Sequence, residues 1–205
     1  MRYDEGCLGA HALNAVGDRW ALLVVRELMF APKRFQALRA GLPGVTASVL
    51  TQRLGQLGQA GLLRHEAGFY GLTDLGRALH PVLRELCRWA LLLPGHDPRR
   101  FISITALMIS ISATVDAKRA AGSPISAAFL SGGEGFEVRL SPQGVPQVVA
   151  AADPQGDFRL EGSGNALAGA IYGLGPQALA AAGQVVLAGD GAAAAGFAGF
   201  FSLRP

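Results

Sequence analysis

Apolar side chains near the start of the chain repeat every three or four residues, a spacing that predicts amphipathic helices. Two such stripes precede residue 30, formed by Leu8, Ala12, Ala15 and Val16 and then by Trp20, Leu23, Val24 and Leu28. Gly17 and Pro32 are expected to end these two helices. A short third helix is predicted over residues 35–40, before Gly41.

A fourth helix is predicted over residues 46–60, after a turn at Pro43-Gly44. Thr46 suits the N-cap because its hydroxyl can accept a hydrogen bond from a free backbone N–H. Three leucines would bury one face, and the opposite face is polar, small and nearly uncharged: Ser48, Thr51, Gln52, Gly55 and Gln59. Such a face can hydrogen-bond base edges in a DNA major groove, although a solvated helix face has the same composition.

Two strands are predicted at residues 62–66 and 69–73, joined around Ala67-Gly68, and a long helix at residues 74–93 follows them. Apolar residues of this helix alternate at four- and three-residue intervals: Leu75, Leu79, Val82, Leu86, Trp89 and Leu93. This heptad-like spacing favours a partner helix, so we predict a homodimer through these six residues. The alternative is a helix buried within its own domain. Pro81 is expected to kink the helix.

In their order over residues 7–93, these segments resemble the HxlR family of bacterial transcriptional regulators. The resemblance is carried by the runs at residues 16–28, 32–38, 42–46, 50–54, 61–64, 70–76 and 81–83. It implies a winged helix-turn-helix that binds double-stranded DNA as a dimer at a pseudo-palindromic operator. The residues expected to contact DNA are Arg34, Gln36, Thr46, Ser48, Thr51, Gln52, Arg53, Arg64 and His65. The wing departs from the family pattern, because its tip is only Glu66-Ala67-Gly68 and lacks the usual proline and basic residues.

The composition changes near residue 95. All four histidines and both tryptophans precede residue 97, and Pro94, Gly95 and Pro98 are typical of a domain boundary. We therefore predict two domains, residues 1–95 and 99–205. The first hundred residues hold thirteen Lys or Arg against eight Asp or Glu, whereas the remainder holds five against seven. The half with the DNA-binding pattern is thus the basic half, as phosphate binding requires.

The second half mixes helical and alternating patterns. Residues 101–120 fit either a helix or strands, and we predict a helix because a clear sheet follows. Five strands are expected at residues 125–130, 135–140, 145–151, 157–162 and 184–188, with helices at residues 165–174, 176–182 and 192–201. The predicted fold class is α+β, with an N-terminal winged helix-turn-helix and a C-terminal five-stranded sheet covered by helices.

This second half resembles a sterol-carrier-protein-type-2 domain, in which helices cover one face of a five-stranded sheet. The resemblance implies an apolar cavity for lipids or other hydrophobic molecules. The residues expected to line it are Leu107, Met108, Ile111, Phe129, Phe136, Val138, Phe158, Tyr172, Phe197 and Phe200. The alternative is that these side chains fill a close-packed core.

Catalytic and metal-binding patterns are absent from the sequence: it has no P-loop, nucleophile elbow or zinc-spaced Cys/His group. We expect no enzyme, cofactor or metal. The HxlR resemblance places Cys7 where some family members sense oxidants or electrophiles, although Leu8 replaces the usual proline, and Asp4 and Glu5 oppose thiolate formation. The start of the chain lacks a secretory signal and no apolar run could span a bilayer, so a cytoplasmic location without a membrane partner is predicted.

These patterns predict a homodimeric DNA-binding regulator whose second domain binds a hydrophobic or aromatic effector. The short wing and the uncharged recognition helix leave one alternative open. In that alternative the protein is a ligand carrier or ligand-binding partner protein, and its winged helix serves mainly in dimerisation.

Overall fold

The computed structural model describes residues 3–204 and has an α+β fold that separates into two compact units, residues 1–83 and 84–205. The elements of the first unit are α1 (Leu8–Val16), α2 (Ala21–Glu27), α3 (Phe35–Ala40), α4 (Ala47–Gln59), β1 (Leu63–Glu66), β2 (Phe69–Leu72) and α5 (Asp74–Arg77). Helix α6 (His80–Ala90) contains the division between the units. The elements of the second unit are α7 (Ile104–Thr114), α8 (Ala117–Ala120), β3 (Ser126–Ser131), β4 (Glu134–Leu140), β5 (Pro146–Ala150), β6 (Phe158–Gly162), α9 (Gly164–Tyr172), α10 (Pro176–Ala181), β7 (Val185–Gly189) and α11 (Gly191–Ala198).

The first unit forms its core from the apolar stripes that the sequence predicts. Helix α4 packs against α2, and the buried residues of α2, α3 and α4 include Val24, Val25, Leu38, Leu50, Leu54 and Leu57. Strands β1 and β2 form an antiparallel hairpin with Glu66 opposite Phe69. Its two-residue turn has positive φ at both Ala67 and Gly68, the geometry that a tight hairpin requires. The four helices predicted before the hairpin, the Thr46 N-cap and the hairpin itself are confirmed.

The long helix predicted over residues 74–93 is interrupted. Helix α5 ends at Arg77, and α6 begins at His80, directly before Pro81. Proline lacks a backbone N–H and its ring clashes with the preceding turn, so it disfavours a continuous helix there. The expected kink is therefore confirmed, whereas the continuous helix is wrong.

The second unit is built on a five-stranded sheet with the order β5-β4-β3-β6-β7. Strands β3 and β6 pair in parallel at the centre, and every other pairing is antiparallel. Burial alternates along β6 and along β4 from Phe136, so that one face carries buried aromatic residues and the other carries charged ones such as Glu137 and Arg159. Helices α7, α9, α10 and α11 contact the sheet.

Residues 101–120, whose pattern fits either a helix or strands, form helices as predicted. The single helix that was expected there is divided into α7 and α8. Helix α7 ends at Thr114, and α8 begins after Asp116, whose carboxylate accepts from the backbone N–H of Arg119. Nine of the eleven residues of α7 are buried. Its hydroxyls hydrogen-bond to carbonyls one turn earlier, as Ser112 does to Met108 at 3.0 Å, which lets polar residues occupy a buried helix.

None of the helices within residues 3–204 is long and apolar enough to cross a membrane.

Candidate nucleic-acid interface

Helix α4 presents the polar face that the sequence predicts. Ser48, Thr51, Gln52, Gly55 and Gln59 are all exposed, whereas the leucines on the opposite side are buried. The outward surface is therefore free of both large apolar groups and charges. Its hydroxyl and amide groups are of the kind that hydrogen-bond base edges in a major groove.

The start and the middle of α4 are held by two different contacts. Thr46 Oγ1 accepts a hydrogen bond from the backbone N–H of Val49 at 3.2 Å, which caps the helix. Arg53 is largely buried, and its Nε lies 2.8 Å from the carboxylate of Asp18. The same guanidinium donates to the side chain of Gln56. Because these contacts occupy Arg53, it anchors α4 to the segment before α2 rather than projecting outward beside the polar face.

The wing carries its polar and aromatic side chains in pairs. The rings of His65 and Tyr70 stack at a centroid distance of 4.1 Å. Arg64 lies 3.7 Å from Glu66 on the same strand, and both side chains are mostly exposed. A long, exposed pair of this kind is weak, so the arginine can exchange its partner for another anion.

Arg34 reaches the wing from outside the hairpin. The neighbouring residue, Lys33, exchanges two backbone hydrogen bonds of 2.9 Å with Tyr70, so the segment before α3 runs beside β2. This pairing places the Arg34 guanidinium over the ring of Phe69, 4.3 Å from its centroid. The basic group missing from the short tip is thus supplied by the loop before α3. The sequence predicted Arg34 as a DNA contact but not this position.

A buried ionic cluster fixes α2 relative to α3. Glu27 is fully buried, with Arg26 at 2.8 Å and the Lys33 ammonium at 3.3 Å from its carboxylate. Arg26 also donates to the carbonyl of Gly41 at the end of α3. A side chain at Gly41 would overlap the Glu27 carboxylate, so a larger residue there would force this carboxylate to shift within the cluster. The cluster was not predicted, because the sequence does not show which charged residue is buried.

The remaining residues predicted to contact DNA are accessible. Gln36 is exposed on α3, and so is Arg39, which sequence reasoning missed. A basic residue in the last turn of a helix also interacts favourably with the helix dipole, so Arg39 has an alternative role.

Apolar side chains are exposed along α5 and α6. Leu75, Leu86 and Trp89 are 59%, 42% and 56% exposed, Val82 and Leu93 are exposed to a similar degree, and Leu79 is half-buried. Leu83, which the predicted stripe omits, is the buried residue of α6. The described chain therefore does not bury this stripe within its own fold, contrary to the alternative considered from sequence.

Helix α1 exposes apolar residues as well, a feature that sequence reasoning missed. Leu8 is 85% exposed, Leu13 is also exposed, and Ala10 is the one buried residue of the helix. The apolar spacing predicted the helix correctly but gave no indication that it would have so little cover.

Cys7 precedes α1 as its N-cap residue, and its thiol is fully exposed. The backbone N–H groups of Ala10 and Gly9 at the start of the helix lower the pKa of the Cys7 thiol. The Cys7 side chain does not accept a capping hydrogen bond of standard geometry from these N–H groups. The dominant influence is thus the helix start and not the acidic residues nearby, which the sequence analysis had expected to oppose the thiolate.

The residues predicted to line a ligand cavity meet in the core of the second unit. Phe197 of α11 packs on Phe129 and Phe158 of the sheet, with ring centroids 6.1 and 5.5 Å apart, and Phe201 lies 4.9 Å from it. Leu107, Met108, Ile111, Phe136 and Val138 are buried as well, while Phe200 is half-buried. Tyr172 donates to or accepts from Thr114 at 2.9 Å, and burial raises the pKa of its phenol.

The described part of the chain has neither a side-chain cluster suited to a metal site nor a disulfide. Within residues 3–204, no group of three or more His, Cys, Asp or Glu side chains is placed to hold a metal ion. Both cysteines are free thiols.

The described geometry defines a class: an α+β protein whose first unit is a helix-turn-helix with a two-stranded wing. Residues 15–97 match the model of the HxlR-like helix-turn-helix family. Two curated relatives from Bacillus subtilis, the uncharacterized HTH-type transcriptional regulators YvaP and YkvN, are 34% and 36% identical to the chain. The alignments cover 38% and 37% of this chain, and 80% and 70% of those proteins. The chain belongs to the HxlR-like helix-turn-helix family.

One solved structure with a similar segment is that of quinone-bound YodB from B. subtilis. It is 34% identical over 39% of this chain and 91% of its own, with a TM-score of 0.38. The family match ends at residue 97, so most of the second unit lies outside it.

Proposed function

We propose that this protein is a homodimeric transcriptional regulator that binds double-stranded DNA at a pseudo-palindromic operator. The observation that carries the proposal is the exposed, uncharged polar face of α4, whose opposite face is buried through leucines. The match to a helix-turn-helix family supports the same role. In this role Ser48, Thr51 and Gln52 contact base edges in the major groove. Thr46, the exposed N-cap of the same helix, would contact the DNA backbone.

Positively charged and polar groups beside α4 would contact phosphates. Arg34 is held over Phe69, which limits its motion before binding, and Arg64, His65 and Gln36 are exposed on the wing and on α3. A preoriented guanidinium loses less side-chain entropy when it binds phosphate. Arg53 takes a supporting role here, because reaching a phosphate would require it to leave Asp18.

The uncovered apolar residues of α5 and α6 support dimerisation. The leucine, valine and tryptophan side chains are exposed at heptad-like spacing. A second copy that covers them would remove apolar surface from water, which favours the dimer. The exposed apolar side of α1 adds to the surface that a partner would cover. A two-fold dimer presents two α4 helices and would read two half-sites about one helical turn apart.

We infer further that the second unit binds a hydrophobic or aromatic effector. The five-stranded sheet, with helices packed on its aromatic face, supports the resemblance to sterol-carrier-like domains. The residues expected to line the cavity pack against one another, so a ligand there would have to separate the Phe129, Phe158 and Phe197 rings. An effector regulates DNA binding if it has unequal affinity for two dimer geometries.

A second sensing function is favoured by one observation, the lowered pKa of Cys7 at the start of α1. An exposed thiol with increased thiolate character reacts faster with oxidants and electrophiles. Cys7 directly precedes the helix that carries the exposed Leu8 and Leu13, so its modification would alter a surface that a partner copy covers.

Two substitutions test the DNA-binding proposal. Gln52→Ala should weaken binding to the operator by about 1–3 kcal/mol and leave binding to random DNA nearly unchanged, because base contacts specify sequence. Arg34→Ala should weaken binding to both DNAs and reduce the salt slope by about one unit. Fluorescence anisotropy across a salt series measures both. Equal losses of Gln52→Ala on operator and random DNA would exclude a base contact by Gln52.

The carrier alternative makes a different prediction for the same assay. A carrier would retain its hydrophobic ligand and its dimer, yet prefer no DNA sequence at physiological salt. The motivation for this alternative is the wing, whose tip carries no basic residue.

A further inference from the structure

The second unit has an open cleft of about 750 Å³ that lies outside the predicted ligand residues. Its walls come from the end of α6, the end of α7 and the segment after α11, and the residues that matter here are Arg88, Trp89, Leu92, Val115, Asp116 and Arg204. This volume falls in the range of sites that hold small organic molecules.

Several polar groups that line this cleft are fixed by hydrogen bonds within the chain. The backbone N–H of Ser202 donates to the Thr114 carbonyl at 3.3 Å, and the backbone N–H of Asp116 donates to the Phe200 carbonyl at 2.8 Å. Arg88 Nε donates to the Ala113 carbonyl at 3.0 Å. The carbonyls of Ala113 and Thr114 at the end of α7 thus already accept hydrogen bonds within the chain. Fewer acceptors are therefore left there for a cationic ligand.

The charged side chains of the cleft are not equally engaged. Arg88 pairs with Glu85 at 2.8 Å, and one oxygen of Asp116 caps α8. Arg204 is exposed and lies at the cleft, and no carboxylate of residues 3–204 is within ion-pair distance of its guanidinium. A planar guanidinium with free N–H donors binds a carboxylate or sulfonate through two hydrogen bonds.

The apolar side of the cleft lies on α6 and the turn after it. The Trp89 indole is 56% exposed, Leu92 is also exposed, and Val115 contributes a further apolar side chain to the lining. A flat apolar body can stack on the indole while its acid group reaches a guanidinium.

We propose that this cleft binds a small aromatic acid, with the acid group on Arg204 and the ring against Trp89 and Leu92. The proposal rests on the effector-binding function given above, and it moves the ligand from the packed core to the surface of the second unit. Trp89 also belongs to the apolar stripe of α6, so a bound acid and a partner copy would compete for its exposed indole.

The test compares three probes that share one ring system: 2-naphthoate, neutral 2-naphthamide and cationic 2-naphthylmethylammonium. Calorimetric titration of the full chain should show that 2-naphthoate binds about tenfold more tightly than the amide, as one charge-assisted contact predicts. The cationic probe should bind no more tightly than the amide. Arg204→Gln should abolish the preference for the acid. Arg100→Gln, an exposed arginine away from the cleft, is the matched control and should retain it.

Nuclear magnetic resonance then locates the probe. The chain has two tryptophans, Trp20 and Trp89, so a Trp89→Phe variant assigns both indole N–H signals. Saturating 2-naphthoate should shift the Trp89 signal and leave the Trp20 signal in place. Equal affinity for the acid and the amide, an unchanged preference in Arg204→Gln, or an unshifted Trp89 signal each overturns the proposal.

Operator binding, measured on the same preparation, distinguishes failure of the acid-binding cleft from failure of the DNA-binding regulator. Specific DNA binding without a naphthoate preference rejects the acid site alone. A naphthoate preference without any specific DNA binding supports the cleft and rejects the regulator.

Discussion

A charge in the middle of the α6 stripe should separate the dimer without unfolding the chain. Leu86 is 42% exposed in the single chain, so the carboxylate that a Leu86→Glu variant introduces would be solvated in a monomer. Leucine and glutamate have similar helix propensities, and exposed substitutions usually change the free energy of unfolding by less than about 0.5 kcal/mol. The monomer should therefore keep its fold.

In the dimer the same substitution has two costs. Covering the exposed part of Leu86 contributes about 1 kcal/mol per protomer, and this is lost. Burying an unpaired carboxylate costs at least about 2 kcal/mol more per protomer. Because two-fold symmetry doubles both, the dimer should be weakened by about 6 kcal/mol, which is about 10⁴-fold in the dissociation constant.

Sedimentation velocity over a concentration series measures this dissociation constant, and circular dichroism checks the fold. Val186→Glu is the matched control, since Val186 is 64% exposed on β7 and lies outside the stripe. It should leave the dimer intact. A Leu86→Glu protein that stays dimeric at the wild-type concentration would refute the assignment of α6 to the interface, and an unfolded one would show that Leu86 belongs to the core.

Three further predictions concern a cap, a thiol and a phenol. Thr46→Ala should lower the free energy of unfolding by about 1 kcal/mol, whereas Thr46→Ser should retain it, as denaturant titration would show; equal losses would mean that the hydroxyl does not cap α4. Cys7, examined in a Cys87→Ser background, should alkylate with iodoacetamide at a lower pH than the same thiol in the unfolded chain, because its pKa is lowered; matching profiles would contradict this. Burial raises the pKa of Tyr172, so the stability that it contributes is complete below the unfolded value of about 10 and is lost as the pH rises above it. Tyr172→Phe should lose less stability than the wild type as the pH rises above about 10, and parallel pH curves would show that Tyr172 does not cause the loss.

The local elements were predictable because their signals are local. Leucine spacing, the Thr46 cap and the hairpin at Ala67-Gly68 depend on residues within one or two turns of each other, and all agree with the structure. The sequence predicted a kink at Pro81, whereas the structure has a break between α5 and α6.

The contacts between distant segments were not predictable. Asp18 meets Arg53, and Lys33 meets both Glu27 and Tyr70, across intervals that no periodicity encodes. For that reason the sequence predicted Arg53 as a DNA contact and gave no sign of its pairing with Asp18. The exposure of Leu8 and the cleft beside Arg204 also depend on how the helices pack, which the residue pattern leaves undetermined.

The central claim is that α4 reads a DNA sequence, and selection from sheared genomic DNA at physiological salt tests it most directly. The purified full chain should enrich a pseudo-palindrome with half-sites about one helical turn apart. A variant that carries Thr51→Ala and Gln52→Ala should lose this enrichment while still binding DNA at low salt, since its phosphate contacts remain. Recovery of no enriched sequence by the wild-type dimer would contradict the account and favour the ligand carrier.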